Sequence, residues 1–471
     1  MKNKFNLIIL VFFLFQLKSF SQCPGLLIPD WEIPMTFPNQ TLSCLHDLNK
    51  NYLYVAGKDQ GLLIYDLTNL SLPVLVLNIP GDSLLNLDVN SLTQDGNYLY
   101  LAIGNIFDNS QHSGMAIIDI TAPASAFVCD VWQFSGWSGS GIVKVQGDYA
   151  FLGAMQNGLI ILNVADKNNI QFVSQFIPDL SFPTINPDTL KYNARGMHVI
   201  DDVIYLCFDA GGLRIINVHD KLNPFETGRY SLPFLNNHPR AYNNIVVDDS
   251  LAYITIDYCA LEILNIDDTS NITQTGWWNP WDCASSTNWW LNSRGHTNEI
   301  KFVKDCNLVF MSTGKSQINV VDVSNPAAPD SCTMFGSQLD QQGTWGLDVY
   351  DDKIFACYIF VPLGIPFQSN WAGVKMISWN NACADYVKDL NQYLTSEVFP
   401  VPSEGEIYIK FKNNTSAELE IANTIGTIIQ RVKVTNEKKI QFLNSSFTDG
   451  IYFLKIEYQN GTSEIKKIVI Q

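Results

Sequence analysis

The chain is short of basic charge. It holds 29 Lys and Arg against 46 Asp and Glu in 471 residues, a formal net charge of −17, and charged residues make up only 16%. A surface that grips nucleic acid needs clustered Lys and Arg to neutralise phosphates, so this composition excludes that class. After an apolar run near the N-terminus, no segment approaches the ~20 apolar residues of a membrane-spanning helix. No later stretch keeps a 3.6-residue apolar period, which leaves little room for helices. Catalytic signatures are missing too, with no HExxH, GxSxG, Walker loop or GxGxxG. The six His are never two or four apart, the ten Cys form no CxxC, and no DxDxDG loop occurs. Neither a metal nor a cofactor is therefore expected.

What is present is apolar and turn-rich: 46% apolar residues, 12% aromatics, 29 Gly and 20 Pro. Met1–Lys4 is basic, Leu7–Leu17 apolar, and Ser19–Ser21 offers small residues for cleavage, so residues 1–21 read as a signal peptide. One unit then recurs, an aromatic strand followed by a strand that ends in Asp or Asn. It reads Tyr52–Ala56 with Gly61–Asp66, and returns at Tyr98–Ala102 with Gly114–Asp119 and Tyr149–Gly153 with Gly158–Asn163. Four more copies end at Asn217, Asn265, Asp322 and Ser378. Asp66 to Ser378 is 312 residues over six intervals, so each unit has room for about four short strands, the size of a propeller blade. The fold class expected is all-β: a seven-bladed β-propeller followed by a small C-terminal β-sandwich. The seventh unit lacks its last strand, and Pro24–Ile33 resembles the corresponding Pro73–Pro80 of the first. The N-terminal strand should then complete blade seven, which removes two open edges. That closure would bring Cys23 near Cys383, and a disulfide between them is expected.

The segments Asp119–Pro123 and Asp322–Pro329, following the apolar strands, resemble the LVIVD-repeat family of extracellular β-propellers. The family implies the fold and no single activity. Past residue 390 the composition changes. Val398–Pro402 with Gly405–Ile409, Ile421–Ile429 around Gly426, Phe447–Ile456 and Lys466–Ile470 resemble, in order, the type A sorting domain of type IX secretion. Its motif residues here are Pro400, Pro402, Gly405, Gly426, Gly450, Tyr452, Lys466 and Lys467; Val401 departs from the usual Asn. The resemblance implies engagement of the type IX machinery through residues 397–471. It also implies removal of the tail, with release of the cargo or attachment to surface lipopolysaccharide. The expected layout is a signal peptide at 1–21, a propeller at 22–386, a linker at 387–396 and a sorting domain at 397–471. Three lysines precede residue 22, and nine residues of each sign follow 396, so the propeller holds 17 basic against 37 acidic residues, a net −20.

Loops that join strands within hairpins on one face are short, whereas those on the other face vary widely. The crossovers 177–194, 232–243 and 277–298 are long, and insertions confined to one face mark the binding face of a repeat protein. These crossovers carry Arg195 and His198, His238 and Arg240, then Arg294 and His296, a cationic arc on an acidic domain. The arc suits an anionic ligand; alternatively each Arg pairs with a carboxylate such as Asp179, Asp188 or Asp348 and stiffens the loops. Trp277, Trp278, Trp281, Trp289 and Trp290 either offer a platform for a glycan or partner or fold back as the loop's own core. The leading functional reading is a non-catalytic recognition module for a glycan, peptide or matrix partner. The alternative is a channel-mouth hydrolase or lyase acting on an anionic substrate, with one of the three histidines as base.

Overall fold

The computed structural model describes residues 23–380 and 396–470, apart from 37–38, 186, 237, 239, 284–293, 365–366, 400, 402, 404–405, 425–426, 444–446 and 459–462. Seven four-stranded antiparallel sheets follow one another, the first six each laid down in chain order from an inner to an outer strand. The first comprises Ser43–His46, Tyr52–Ala56, Leu62–Asp66 and Val74–Ile79. The remaining inner strands are Val89–Asp95, Ile142–Gln146, Met197–Ile200, Ala241–Asp248, Ile300–Val303 and Gly343–Tyr350. Beyond strands, the described residues hold only short 3-10 turns, and no helix is long and apolar enough to cross a membrane.

The blades stack because their middle strands are apolar on both faces. Leu53 and Val55 pack with Phe355 and Val374 of blade seven, whereas Tyr54 and Ala56 point the other way, onto Leu99 and Leu101 of blade two. Such a sheet cannot leave either face to water, so each blade needs two neighbours. Every seam accordingly has its own buried cluster. The Asp or Asn that ends each third strand has a local task. Asp66, Asp119, Asn163, Asn217, Asn265 and Asp322 each accept, through Oδ1, the N–H two residues on, at 2.6–3.0 Å. That bond turns the chain toward the outer strand.

The N-terminal strand Ile28–Pro34 is the outer strand of blade seven, antiparallel to Gly373–Ser378, as the sequence leads one to expect. The disulfide differs from expectation: Cys23 is bonded to Cys332, on the outer strand of blade six, and Cys383 lies outside the described residues. The cause is local. Residues 23–27 run back over the seam between blades six and seven, where Leu27 is buried. Cys306 is also disulfide-bonded. Cys207, Cys259 and Cys357 are buried free thiols that fill seam cores, and Cys283, also free, lies beside Cys259.

The chain divides into two compact units, one on either side of residue 383. In the second, Glu406–Asn423 and Ile428–Leu443 are long enough to serve two layers. Residues 406–410 pair with 439–443, and 417–422 with 428–434, the register slipping between. Ile407, Phe411, Leu419 and Ile421 then face one core with Leu454 and Ile468. Tyr452 is buried there and its hydroxyl donates to the Thr448 carbonyl at 2.8 Å. Gly450 opens that strand, and Lys466 and Lys467 lie on the last, opposite Leu454 and Phe453. Pro400, Pro402, Gly405 and Gly426 fall outside the described residues.

Cys23→Ser should lower the thermal unfolding midpoint of the oxidised protein, consistent with a loss of about 2–5 kcal/mol. Under reducing conditions the variant and parent should unfold together; equal midpoints in oxidising buffer would show that this bond does not secure the closing strand.

Candidate functional site

The long loops gather at one mouth of the central channel, and one repeated turn sets their positions. After the second strand of blades one, three, four and six, Lys58, Met155, Asp209 and Gly314 adopt left-handed backbone, with φ between 49° and 52°. Each then offers its carbonyl to an N–H leading into the next blade: Val89, Ala194, Tyr242 and Thr344, at 2.9–3.1 Å. The turn latches neighbouring blades and leaves its side chain at the mouth. Lys58 there pairs with Asp88 at 3.1 Å, and Gly314 leaves room for His296 and Phe367, which a Cβ would touch at 2.8–3.0 Å.

The crossover 177–196 is held down by Arg214, which is fully buried. Its Nη2 donates to the carbonyls of Asp179 and Phe182, both at 2.9 Å, and Nε to Gly211 at 2.9 Å. Nη1 lies 3.0 Å from Glu226, and the guanidinium is flanked by the rings of Phe182 and Phe208. Nothing in the sequence marks this Arg apart from its place in an apolar strand.

A cavity of about 320 Å³ opens at the mouth. Arg195, Asn193, Asp209, Asn243, Asp257 and His296 are among its polar groups; Trp345 and Phe107, ring centroids 5.2 Å apart, supply an aromatic wall. His296 is buried with Nδ1 2.5 Å from Asp257 Oδ2. The guanidinium of Arg195 lies 5.8 Å from the Trp345 ring and donates to Asn298 Oδ1 at 3.3 Å. Asp209 accepts from Asn193 Nδ2 at 2.8 Å. Burial raises its carboxyl to about 6, against the opposing pull of Arg195 and of the Asn193 bond. A carboxyl that exchanges its proton near neutrality thus sits beside a His–Asp pair and an Arg.

Of the expected arc, only Arg195 and His296 meet in this cavity. His198 lies inside the channel, where Nδ1 accepts the Val247 N–H at 3.3 Å; burial, helped by Lys144, lowers it to about 4. It is a neutral structural acceptor and no base for mouth chemistry. His238 and Arg240 line a second, adjoining cavity of about 780 Å³. Arg294 is exposed and borders neither cavity. The carboxylates considered as partners for the arc are engaged elsewhere: Asp179 with Arg229, Asp188 with Lys191 and Asp348 with Lys301.

Of the expected platform, the described members Trp277, Trp278 and Trp281 form no open surface. Trp277 and Trp278 end the outer strand of blade five. Trp277 Nε1 donates to the Cys259 carbonyl and Trp278 Nε1 to Ser331 Oγ, both at 2.8 Å. Trp281 packs edge-on against Trp278 and beneath Gly295, where a Cβ would come within 2.4 Å of its ring. Strand pairing and seam packing have drawn these rings inward. Trp289 and Trp290 lie outside the described residues. Sequence reasoning missed Asn193, Asp209, Asp257 and Trp345. Comparing the latch position across repeats singles out Asp209, since Lys, Met and Gly stand there elsewhere.

Comparison with known proteins agrees with this architecture. The LVIVD repeat model matches residues 48–80, 140–176 and 307–334, and the secretion system C-terminal sorting domain matches residues 397–471. The chain carries both modules. The second makes it a type IX cargo that engages that machinery and is exported to the cell surface or extracellular space. Among solved structures, the chain is similar to "Crystal structure of RRP9 WD40 repeats", with 10% identity, TM-score 0.54, 76% of this chain and 99% of that one covered. It is also similar to "Structure of U3-55K", with 10% identity, TM-score 0.52, 73% of this chain and 97% of that one covered. At such identity the likeness speaks for the propeller fold alone. No curated protein matches the chain.

Two outcomes follow for this site. Arg214→Met should cost about 3–5 kcal/mol in a urea titration, because it strands Glu226 and frees the 179–182 carbonyls; a loss below ~1 kcal/mol would show that Arg214 does not anchor the crossover. For Asp209, folding raises the pKa from 3.8 to about 6, so its contribution is complete below pH ~4 and lost as pH rises through 6. Asp209→Asn removes that dependence. Its stability relative to the parent should improve by roughly 2–3 kcal/mol between pH 4 and 7; a flat difference curve would contradict the raised pKa.

Proposed function

We propose that this exported LVIVD-repeat propeller is a recognition protein that binds a saccharide in the cavity at its channel mouth. The supporting observation is the pairing, in one open cavity, of the Trp345–Phe107 wall with an amide and carboxylate floor from Asn193, Asn243 and Asp209. A sugar ring presents an apolar face that stacks on aromatic rings and edge hydroxyls that need donors and acceptors together. The six-blade origin of the lining gives a preformed site on a rigid scaffold, which limits the ordering cost of binding. Residues 1–21 serve as the signal peptide in this reading, and loss of the sorting tail leaves the propeller released or attached to surface lipopolysaccharide.

One observation favours a second reading. Asp209, whose carboxyl burial raises to about 6, stands in the same cavity as the Asp257–His296 pair. A hydrolase or lyase at the mouth would use these groups.

A glycan array probed with the secreted protein should return a defined set of saccharides, and Asp209→Asn should weaken the strongest roughly tenfold. Superimposable titrations of parent and variant, or an array without signal, would sink the mouth-cavity reading. New reducing ends or unsaturated products from a bound saccharide, abolished by Asp257→Asn, would move the assignment from recognition to catalysis.

A further inference from the structure

The cavity beside the mouth contains a cation with no carboxylate partner among the described residues. Arg240 is half-buried on its wall. Nη1 donates to the Leu235 carbonyl at 2.7 Å, Nε to the Ala210 carbonyl at 3.1 Å, and Nη2 reaches Thr184 Oγ1 at 3.5 Å. All three partners are neutral. Arg214, Lys301 and Lys58, in contrast, lie against Glu226, Asp348 and Asp88. In a propeller carrying 20 excess negative charges, carboxylates are abundant, yet among the described residues none pairs with this guanidinium. Carbonyl dipoles fix the plane of the fork and leave N–H groups on Nη1 and Nη2 over. A fixed fork with spare donors suits bidentate capture of a planar oxyanion.

The surroundings point the same way. His238 borders the same cavity, and Lys191 stands at its rim, 70% exposed and 3.3 Å from Asp188. Leu190, Asn193 and Asp209 line both cavities, so the two adjoin beside the channel mouth at blades four and five. The mouth cavity of about 320 Å³ has room for a single sugar, and the adjoining cavity of about 780 Å³ has room for further units.

We infer that the outer cavity is an anion subsite, in which Arg240 receives the carboxylate of a uronic acid unit belonging to a saccharide whose end occupies the mouth. This rests on the saccharide reading of the mouth and adds the ligand class, an acidic oligosaccharide. Lys191 supports it as a long-range charge at the rim, where its contribution is screened by salt.

The test compares an oligogalacturonate with its fully methyl-esterified form, which keeps the backbone and caps the charge, by titration calorimetry on the secreted protein. The acid should bind roughly tenfold or more tightly than the ester, and added salt should narrow the gap. Arg240→Gln should abolish the preference while changing ester affinity less than about twofold, and the surface change Lys191→Glu should reduce it without disturbing the fold. Lys191→Glu keeps the question answerable if loss of Arg240 loosens the crossovers. Equal affinities for acid and ester overturn the anion subsite. If the ester is still bound, and weakened by Asp209→Asn, the mouth reading survives that failure. If neither form binds, both fall. Arg240-dependent binding of an acidic peptide in place of the uronate overturns the saccharide class.

Discussion

Two-sided burial of the middle strands is the constraint on which the propeller depends. A sheet with Tyr54 on one face and Leu53 on the other has no solvent side, and only a closed stack satisfies every such sheet at once. Closure fixes the rest. Inner strands converge on a channel, hairpins that end in an Asp or Asn cap stay short at one end, and the latched turns crowd the other. The mouth is therefore a by-product of seam packing, assembled from residues that owe their positions to hydrophobic contacts well below them.

That division of labour explains how polar and titratable groups accumulate at the mouth. Asp209, Asp257 and His296 would be costly inside a seam, where a charge has no water and few partners. At the mouth each has a partner or an opening, and the scaffold beneath carries the burden of stability. The same logic separates Arg214 from Arg240. Arg214 meets a carboxylate and two carbonyls and acts as a clamp, whereas Arg240 is fixed by carbonyls with its charge left over.

The fold was legible because the repeats state it. Leu62–Asp66 and its relatives are apolar at consecutive positions and end in a capping residue, which is the physical requirement of a middle strand between two blades. The closing strand was legible for the same reason. The disulfide partner was not, because proximity of chain ends in a ring says nothing of how residues 23–27 cross a seam. The site was legible only as composition. Arg195 and His296 stood out as charges in long crossovers. His198 differs from them by a few positions, enough to place it on the inner strand, with its ring turned to a backbone amide. Asp209 looked like an ordinary turn aspartate before Ala210 and two glycines; its significance comes from burial and from Asn193 across the loop, which no local pattern encodes. The tryptophan run left two readings open, an exposed platform or inward packing, and Trp277 and Trp278 belong to a strand end and pack inward.

The closing ladder also governs timing. Asp30 and Ser378, hydrogen-bonded across it, are 348 positions apart, so the earliest strand of the propeller waits for nearly the last before it can pair. Until then the stack has two bare edges and two uncovered apolar faces, and loop-closure entropy opposes the final contact. The ring therefore completes only after Ser378 has emerged, and the sorting module, residues 397–471, lies C-terminal to that point. Completion of the cargo and presentation of its address are thus neighbouring events along one polypeptide, ordered by topology alone.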